Sequence, residues 1–133
     1  DWIYTHREKA LAAAEQKAAN RLTEAERKAA VKRAAQMLAE KTAHFAKEMG
    51  VTYGRITIRE QKTRWGSCSS AGNLNYNWKL VLMPERVMDY VVIHELAHRK
   101  EMNHSARFYA VVAQQMPDYK VWQSWLKEHG REY

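Results

Sequence analysis

The sequence predicts an α+β fold in which helices pack on a small, three-stranded antiparallel sheet, and three observations carry that expectation. The first fifty residues keep helical spacing of their apolar positions. Beyond Gly50 the spacing shortens to strand-like alternation, and from Pro84 to Gly130 it returns to helical. One of the later helices contains His94-Glu95-Leu96-Ala97-His98, so it is expected to lie beneath the sheet with a cleft between them.

Each element has local reasons. From about Trp2 to Asn20, Ala10, Leu11, Ala14, Ala18 and Leu22 line one face of an alanine-rich helix with a weak anchor. Thr23 and Glu26 form a capping-box pair that starts a second helix, which runs to Met49 and stops at Gly50. Its stripe is Ala30, Val31, Ala34, Leu38, Phe45 and Met49, and its solvated face carries Lys28, Lys32, Arg33 and Lys47. Arg55 to Arg59 alternates as a half-buried strand with Ile56 and Ile58 inward. Strands around Thr63–Cys68 and Leu74–Trp78 flank the turn-rich Ser69-Ser70-Ala71-Gly72-Asn73. Gly66 within the second strand either weakens the ladder or admits a close backbone approach. Asn73, Asn75 and Asn77 either hydrogen-bond an extended peptide by strand addition or are turn-favouring residues of a hairpin. Leu80 to Met83 form a buried connection, and Pro84 suits the first turn of the motif helix. Ser105 caps a further helix, reaching about Met116, that buries Phe108, Val111 and Val112. Pro117 ends it, and Asp118 caps a last helix with Val121, Trp122, Trp125 and Leu126 on its apolar face.

Length and composition narrow the classes. A chain of 133 residues makes a single domain, 1–133, divided into N-terminal helices over 1–50 and a core over 51–133. The opening residue is Asp1 rather than Met, which predicts a trimmed or processed start with residues upstream. No apolar run reaches membrane-spanning length and no secretory h-region is present, so a cytoplasmic location is expected. The single cysteine, Cys68, excludes an internal disulfide and reads as a small buried residue ahead of a redox thiol or a thiolate ligand. The net charge is +7, and residues 51–82 hold five Lys and Arg against one Glu, whereas residues 83–133 hold seven of each sign. The basic 55–79 region, with Arg55, Arg59, Lys62 and Arg64, makes DNA or RNA a candidate partner and predicts salt-sensitive, non-specific binding.

The chemistry sits in the motif. Residues four apart on a helix share a face, so His94 and His98 can address one metal ion with Glu95 beside them. The upstream residues Val87, Met88, Tyr90, Val91, Val92 and Ile93 are apolar on nearly every side. A helix buried to that degree has little reason to hold two imidazoles and a carboxylate unless something pairs with them. A catalytic zinc needs a third protein ligand and an open fourth position. His104 is the nearest candidate if Asn103 turns the chain through the left-handed region, and Glu101 is the alternative.

Arg64-Trp65-Gly66-Ser67-Cys68, Gly72, Asn77-Trp78, Tyr90 to His98, Asn103-His104-Ser105, Phe108 and Pro117-Asp118-Tyr119 together resemble the YgjP-like metal-dependent hydrolases over roughly residues 51–129. That family is similar to the SprT/Spartan and WLM metalloproteases, which act on proteins crosslinked to DNA. The resemblance implies a zincin-like fold, Zn2+ held by His94, His98 and His104, Glu95 as general base, and a protein or peptide substrate. The metzincin pattern departs at Glu101, where that group has glycine. Stabilisers of the developing oxyanion are sought among Arg64, Asn75, Asn77 and Tyr109. Two competing readings are a metal-dependent hydrolase of nucleotide phosphoanhydrides and a non-enzymatic nucleic-acid-binding module with structural zinc. The first lacks a glycine-rich phosphate loop, and the second gives Glu95 no role.

Overall fold

The structure, a computed structural model, describes residues 22–60 and 64–133. The expected helix over Trp2–Asn20 and the side chain of Lys62 lie outside the described residues. The remaining elements are α1 (Glu24–Met49), β1 (Ile56–Arg59), β2 (Gly66–Cys68), β3 (Leu74–Asn77), a 3-10 helix (Trp78–Leu82), α2 (Glu85–Ala97), α3 (Ala106–Gln115) and α4 (Tyr119–His129). A final 3-10 turn spans Gly130–Glu132.

Local chemistry sets the limits of α1. Thr23 Oγ1 accepts from the Glu26 amide at 3.1 Å, and Glu26 Oε1 accepts from the Thr23 amide at 3.1 Å. Such caps are worth about 1 kcal/mol. Gly50 ends the helix at φ +69°, the left-handed geometry that a Cβ disfavours. Ala30, Ala34, Leu38, Ala46 and Met49 are buried as the stripe requires, while Val31 and Phe45 lie at its edges. These residues join Leu74, Tyr76, Val92, Ile93, Leu96 and Phe108 in one apolar core. Lys28, Lys32, Arg33 and Lys47 are exposed.

The three strands form one sheet in the order β1-β3-β2. It is mixed, which corrects the all-antiparallel expectation. β1 pairs parallel with β3, from Ile56 opposite Leu74 to Arg59 opposite Asn77, whereas β2 pairs antiparallel with β3, from Gly66 opposite Tyr76 to Cys68 opposite Leu74. Consecutive strands β1 and β2 do run in opposite directions, but β3 slides between them. The physical reason lies in burial: Leu74, Tyr76 and Asn77 are all buried, and the central position is the one that covers a strand on both edges. The hairpin turn closes as expected, with Ser69 and Asn73 hydrogen-bonded and Gly72 at φ +90°.

β2 is shorter than anticipated, and Trp78 leaves the third strand to begin the 3-10 helix. Asn77 Oδ1 accepts from the Lys79 amide at 3.0 Å and caps that helix. α2 starts immediately after Pro84, and its residues Val87 to Ile93 are buried throughout. Ser105 caps α3, its hydroxyl accepting from the Phe108 amide. Asp118 precedes α4 but makes no capping hydrogen bond. Its carboxylate takes Trp122 Nε1 at 3.1 Å and Arg86 at 3.1 Å instead. Val121, placed on the apolar face by its spacing, is 57 % exposed, and the face that packs inward carries Trp122, Trp125 and Leu126.

Candidate metal centre

α2 ends at Ala97, so His94 lies in its last turn and His98 caps its C-terminus. The chain then turns through Arg99 to Asn103 and delivers His104 to the same place. Asn103 does not take the left-handed conformation: among the described residues no non-glycine has positive φ. The turn is built instead from successive backbone bonds, Arg99 N–H to Leu96 O, Lys100 and Glu101 N–H to Ala97 O, and Ser105 N–H to Asn103 O.

The three histidines converge. One ring nitrogen from each lies within 4.8 Å of the other two, and His94 Nε2 is 3.2 Å from His104 Nε2. Phe108, fully buried, forms the floor, its ring centroid 4.9, 4.5 and 4.9 Å from those of His94, His98 and His104. Ser105 fixes this floor by capping α3 one residue after His104, so a single local signal places both the third imidazole and the aromatic beneath it.

The outer nitrogens of His94 and His98 have partners. His98 Nδ1 lies 3.3 Å from the Glu101 carbonyl oxygen, which can only accept. His98 is therefore held with its proton on Nδ1 and its Nε2 lone pair turned inward. His94 Nδ1 faces Tyr90 Oη at 3.3 Å. Burial, then the charges of His98 and His104, pulls the pKa of His94 down to about 4, and burial likewise lowers His98. At 3.2 Å the Nε2 atoms of His94 and His104 either share a proton in a hydrogen bond or turn both lone pairs on a common cation. The donor set fits a metal ion, with orienting groups behind the ligands. Glu101 offers its backbone carbonyl and not its carboxylate, and the cluster among the described residues contains histidines alone.

Glu95 is buried on the same helix, at 6 % exposure. Burial pushes its pKa up to about 7, and the nearby positive charge of Arg64 works in the other direction. β2 passes directly over it. A Cβ on Gly66 would lie 3.1 Å from Glu95 Cγ and Oε2 and 3.1 Å from Val91 Cγ1, so the glycine serves the close approach that its odd place in a strand allowed. Cys68, two residues on and therefore on the same face of the strand, is half-buried. Its thiol is pushed up in pKa by burial and by the charge of Glu95, and it donates to Ser69 O at 3.4 Å.

The other expected site residues divide. Arg64 is exposed and near enough to Glu95 to influence it. Tyr109 stacks on His104 with centroids 6.3 Å apart and on Tyr119 at 5.9 Å. Asn75 and Asn77 are not brought to the metal centre. In the strand register Gly66, Tyr76 and Ile58 share the face toward Glu95, and Asn75 alternates to the other, where it accepts from Arg59 Nε at 2.9 Å and donates to Ser67 Oγ at 3.2 Å. Asn77 is buried and donates to Arg64 O at 3.3 Å while capping Lys79. Both asparagines hold the sheet together. Tyr90 is the site residue that pattern reading passed over, because at helical spacing it reads as core; its position four residues before His94 was the available signal.

A buried glutamate beside three converging histidines, two of them in a His-Glu-x-x-His helix under a strand, defines a metallohydrolase centre. The chain belongs to the YgjP-like family, whose metallopeptidase-domain model matches residues 2–129. It is therefore a metallopeptidase with a catalytic metal and protein or peptide substrates, and the phosphoanhydride and structural-zinc readings lose their support. The crystal structure of the metallopeptidase zymogen of Pyrococcus abyssi abylysin is similar, with a TM-score of 0.63 and 24 % identity over 71 % of this chain and 96 % of that one. That of Methanocaldococcus jannaschii jannalysin, also a metallopeptidase zymogen, gives 0.60 and 18 % over 68 % and 94 %. No curated protein matches the chain. Among the described residues no helix is long and apolar enough to cross a membrane.

Proposed function

We propose that this chain is a zinc-dependent peptidase in which His94, His98 and His104 hold the ion and Glu95 is the general base. The observation that carries the reading is the convergence of the three imidazoles beside one buried carboxyl. Zinc is favoured by the donor set, since imidazole suits it and three histidines with a free position are a common catalytic arrangement. The His94–His104 separation of 3.2 Å also agrees with the ~3.3 Å expected between two nitrogens on one tetrahedral zinc.

When bound, such an ion supplies an acidified water and positive charge for the oxyanion. The protein's own groups do the rest. Glu95 takes a proton from the attacking water and returns it to the departing amine nitrogen, a role that suits a carboxyl with a pKa near neutrality. Gly66 keeps strand β2 close over that carboxyl and so shields it from bulk water. Tyr109, which stacks on His104, and Arg64, whose charge acts on Glu95, are our candidates to meet a carbonyl oxygen or a substrate's polar groups. Residues 1–133 then act as one domain, with 51–133 as the catalytic core and the described helix α1 of the 1–50 segment packed against it. Metal analysis of the purified protein, paired with casein cleavage by wild type and Glu95→Gln, tests the reading. One zinc per chain in both and cleavage in wild type alone is the expected result.

A DNA-associated or quality-control role in the cytoplasm is the finer part of the proposal. Its support is the +7 charge and the exposed Arg55, Arg59 and Arg64. Fluorescence anisotropy with labelled single- and double-stranded DNA should show binding at low salt that weakens as salt rises. No binding at low salt removes the nucleic-acid partner.

A further inference from the structure

Arg99 follows His98 directly, in the turn after α2, and its half-buried side chain reaches the hairpin turn that joins β2 to β3. Its Nε donates to Thr52 O at 2.8 Å and its Nη1 donates to Ser70 O at 3.2 Å. One planar group thus bridges two backbone carbonyls, the first from the connection between α1 and β1 and the second from the turn. Gly72 makes the room, since a Cβ there would stand 2.7 Å from Arg99 Cζ and 2.8 Å from Nε. The two segments are also joined without Arg99. Gly54 N–H donates to Gly72 O at 2.8 Å, and Arg55 N–H donates to Asn73 Oδ1 at 2.8 Å. What the guanidinium adds is their attachment to the end of the motif helix.

That attachment bears on β2. The strand is three residues long and pairs on one edge only, with β3, so no second strand fixes its height above α2. At one end Gly66 lies against Glu95, where a glycine permits the close approach but has no side chain with which to hold it. At the other end the charge of Arg99 is felt by the Cys68 thiol, two residues before Ser70. Arg99 supplies from the helix side the hold that Gly66 cannot.

We propose that Arg99 is a positioning residue: by tying the β2–β3 turn to the end of the motif helix it sets how closely β2 lies on Glu95, and so where the base stands. It acts through the strand and not on the substrate. The inference rests on Glu95 as general base and adds a residue to that reading. A reacting group misplaced by about 1 Å can cost on the order of 100-fold in rate, and a tether acting through an intervening strand should account for ~10-fold.

The test measures kcat and KM on fluorescent casein, with zinc affinity by chelator competition, for wild type, Arg99→Met, Gly66→Ala, the double variant and Glu95→Gln. Arg99→Met should lose ~10-fold in kcat with KM and zinc affinity little changed, because the contact it supports matters in the transition state. Freed from its tether, the strand can yield to the methyl group that Gly66→Ala adds. The double variant should therefore lose clearly less kcat than the product of the two single losses. Arg99→Lys keeps the charge but meets only one of the carbonyls, and should fall between wild type and Arg99→Met. If Arg99→Met does not fold, the same cycle run with Arg99→Lys decides. Wild-type kcat in the Arg99 variant overturns the proposal, as does a double variant that loses the full product. A drop in zinc affinity that accounts for the lost turnover overturns it too, since Arg99 would then serve the ligands. Full turnover in Glu95→Gln overturns the general-base reading and the tether with it, whereas loss there beside wild-type kcat in Arg99→Met overturns the tether alone.

Discussion

Gly66 and Glu95 touch: the backbone of strand β2 runs so near the carboxyl that a Cβ on Gly66 would meet Glu95 Oε2 at 3.1 Å. The strand and the motif helix are thereby joined at the atom proposed to carry the proton. Replacing Gly66 with Ala makes a contact tight by a few tenths of an ångström against Val91 and Glu95, both buried. The prediction is a Glu95 side chain pushed off its place. The variant should lose ~10-fold or more in kcat, keep its metal and lose about 1 kcal/mol of stability. Gly66→Val should do worse on all but metal content. Steady-state kinetics with metal analysis decide, and unchanged kcat in Gly66→Ala contradicts a constrained Glu95.

Burial of Glu95 has a consequence for the metal-free protein. Its folded pKa is raised from 4.5 to about 7, so the folded state holds a proton that the unfolded state releases first. Stability from this group is present below the unfolded pKa of about 4.5 and is lost as pH rises through about 7. Glu95→Gln has no proton to lose. Without metal it should therefore be more stable than wild type at about pH 8, by on the order of 2 kcal/mol, and nearly equal to it at about pH 4. Denaturant titrations at the two pH values check this, and a wild-type protein as stable as the variant at the higher pH contradicts it.

Much of the fold was legible because its signals are local. Thr23 with Glu26, Gly50, Ser105 and the His94–His98 spacing each announce themselves within a few residues, and each is where it was expected. What failed was non-local. The parallel pairing of β1 with β3 depends on where the hairpin inserts, and nothing within Ile56–Arg59 encodes it. For Asn75 and Asn77 peptide binding and a hairpin role stayed open, because alternation does not say which face holds the helix; both side chains are engaged in hydrogen bonds around the sheet. Asp118 has the right residue type for a cap, yet Arg86 and Trp122, one of them 32 residues distant in sequence, take its carboxylate.

Lys41 on α1 holds the back of the motif helix. Its Nζ lies 2.7 Å from Asp89 and 2.8 Å from Glu85, and Asp89 is 10 % exposed. Burial draws the Lys41 pKa down, but its hydrogen bonds and charge contacts with Asp89 and Glu85 outweigh that, so it is raised overall. Its contribution is therefore complete below about pH 10.5 and fades as pH climbs through the raised value. Lys41→Met strands the Asp89 carboxylate with Arg86 at 3.5 Å and should destabilise by about 1–3 kcal/mol. Adding Asp89→Leu should recover much of the loss. Urea melts of the single and double variants measure it, and no difference between them contradicts the pairing.

His104 is the exposed member of the cluster, and its loss should not threaten the core. His104→Ala is expected to retain its melting temperature without metal while binding zinc ~100-fold or more weakly. Wild-type affinity measured by chelator competition would remove His104 from the ligand set.

The claim at the centre is that Glu95 acts on the substrate's water and not on the fold or the metal. Turnover of an unfolded protein substrate by Glu95→Gln, with zinc content determined on the same preparation, addresses it most directly. A fall of at least ~10²- to 10⁴-fold at full zinc occupancy is the predicted result. Full turnover would contradict the general-base role, and loss of zinc would make Glu95 a structural part of the site.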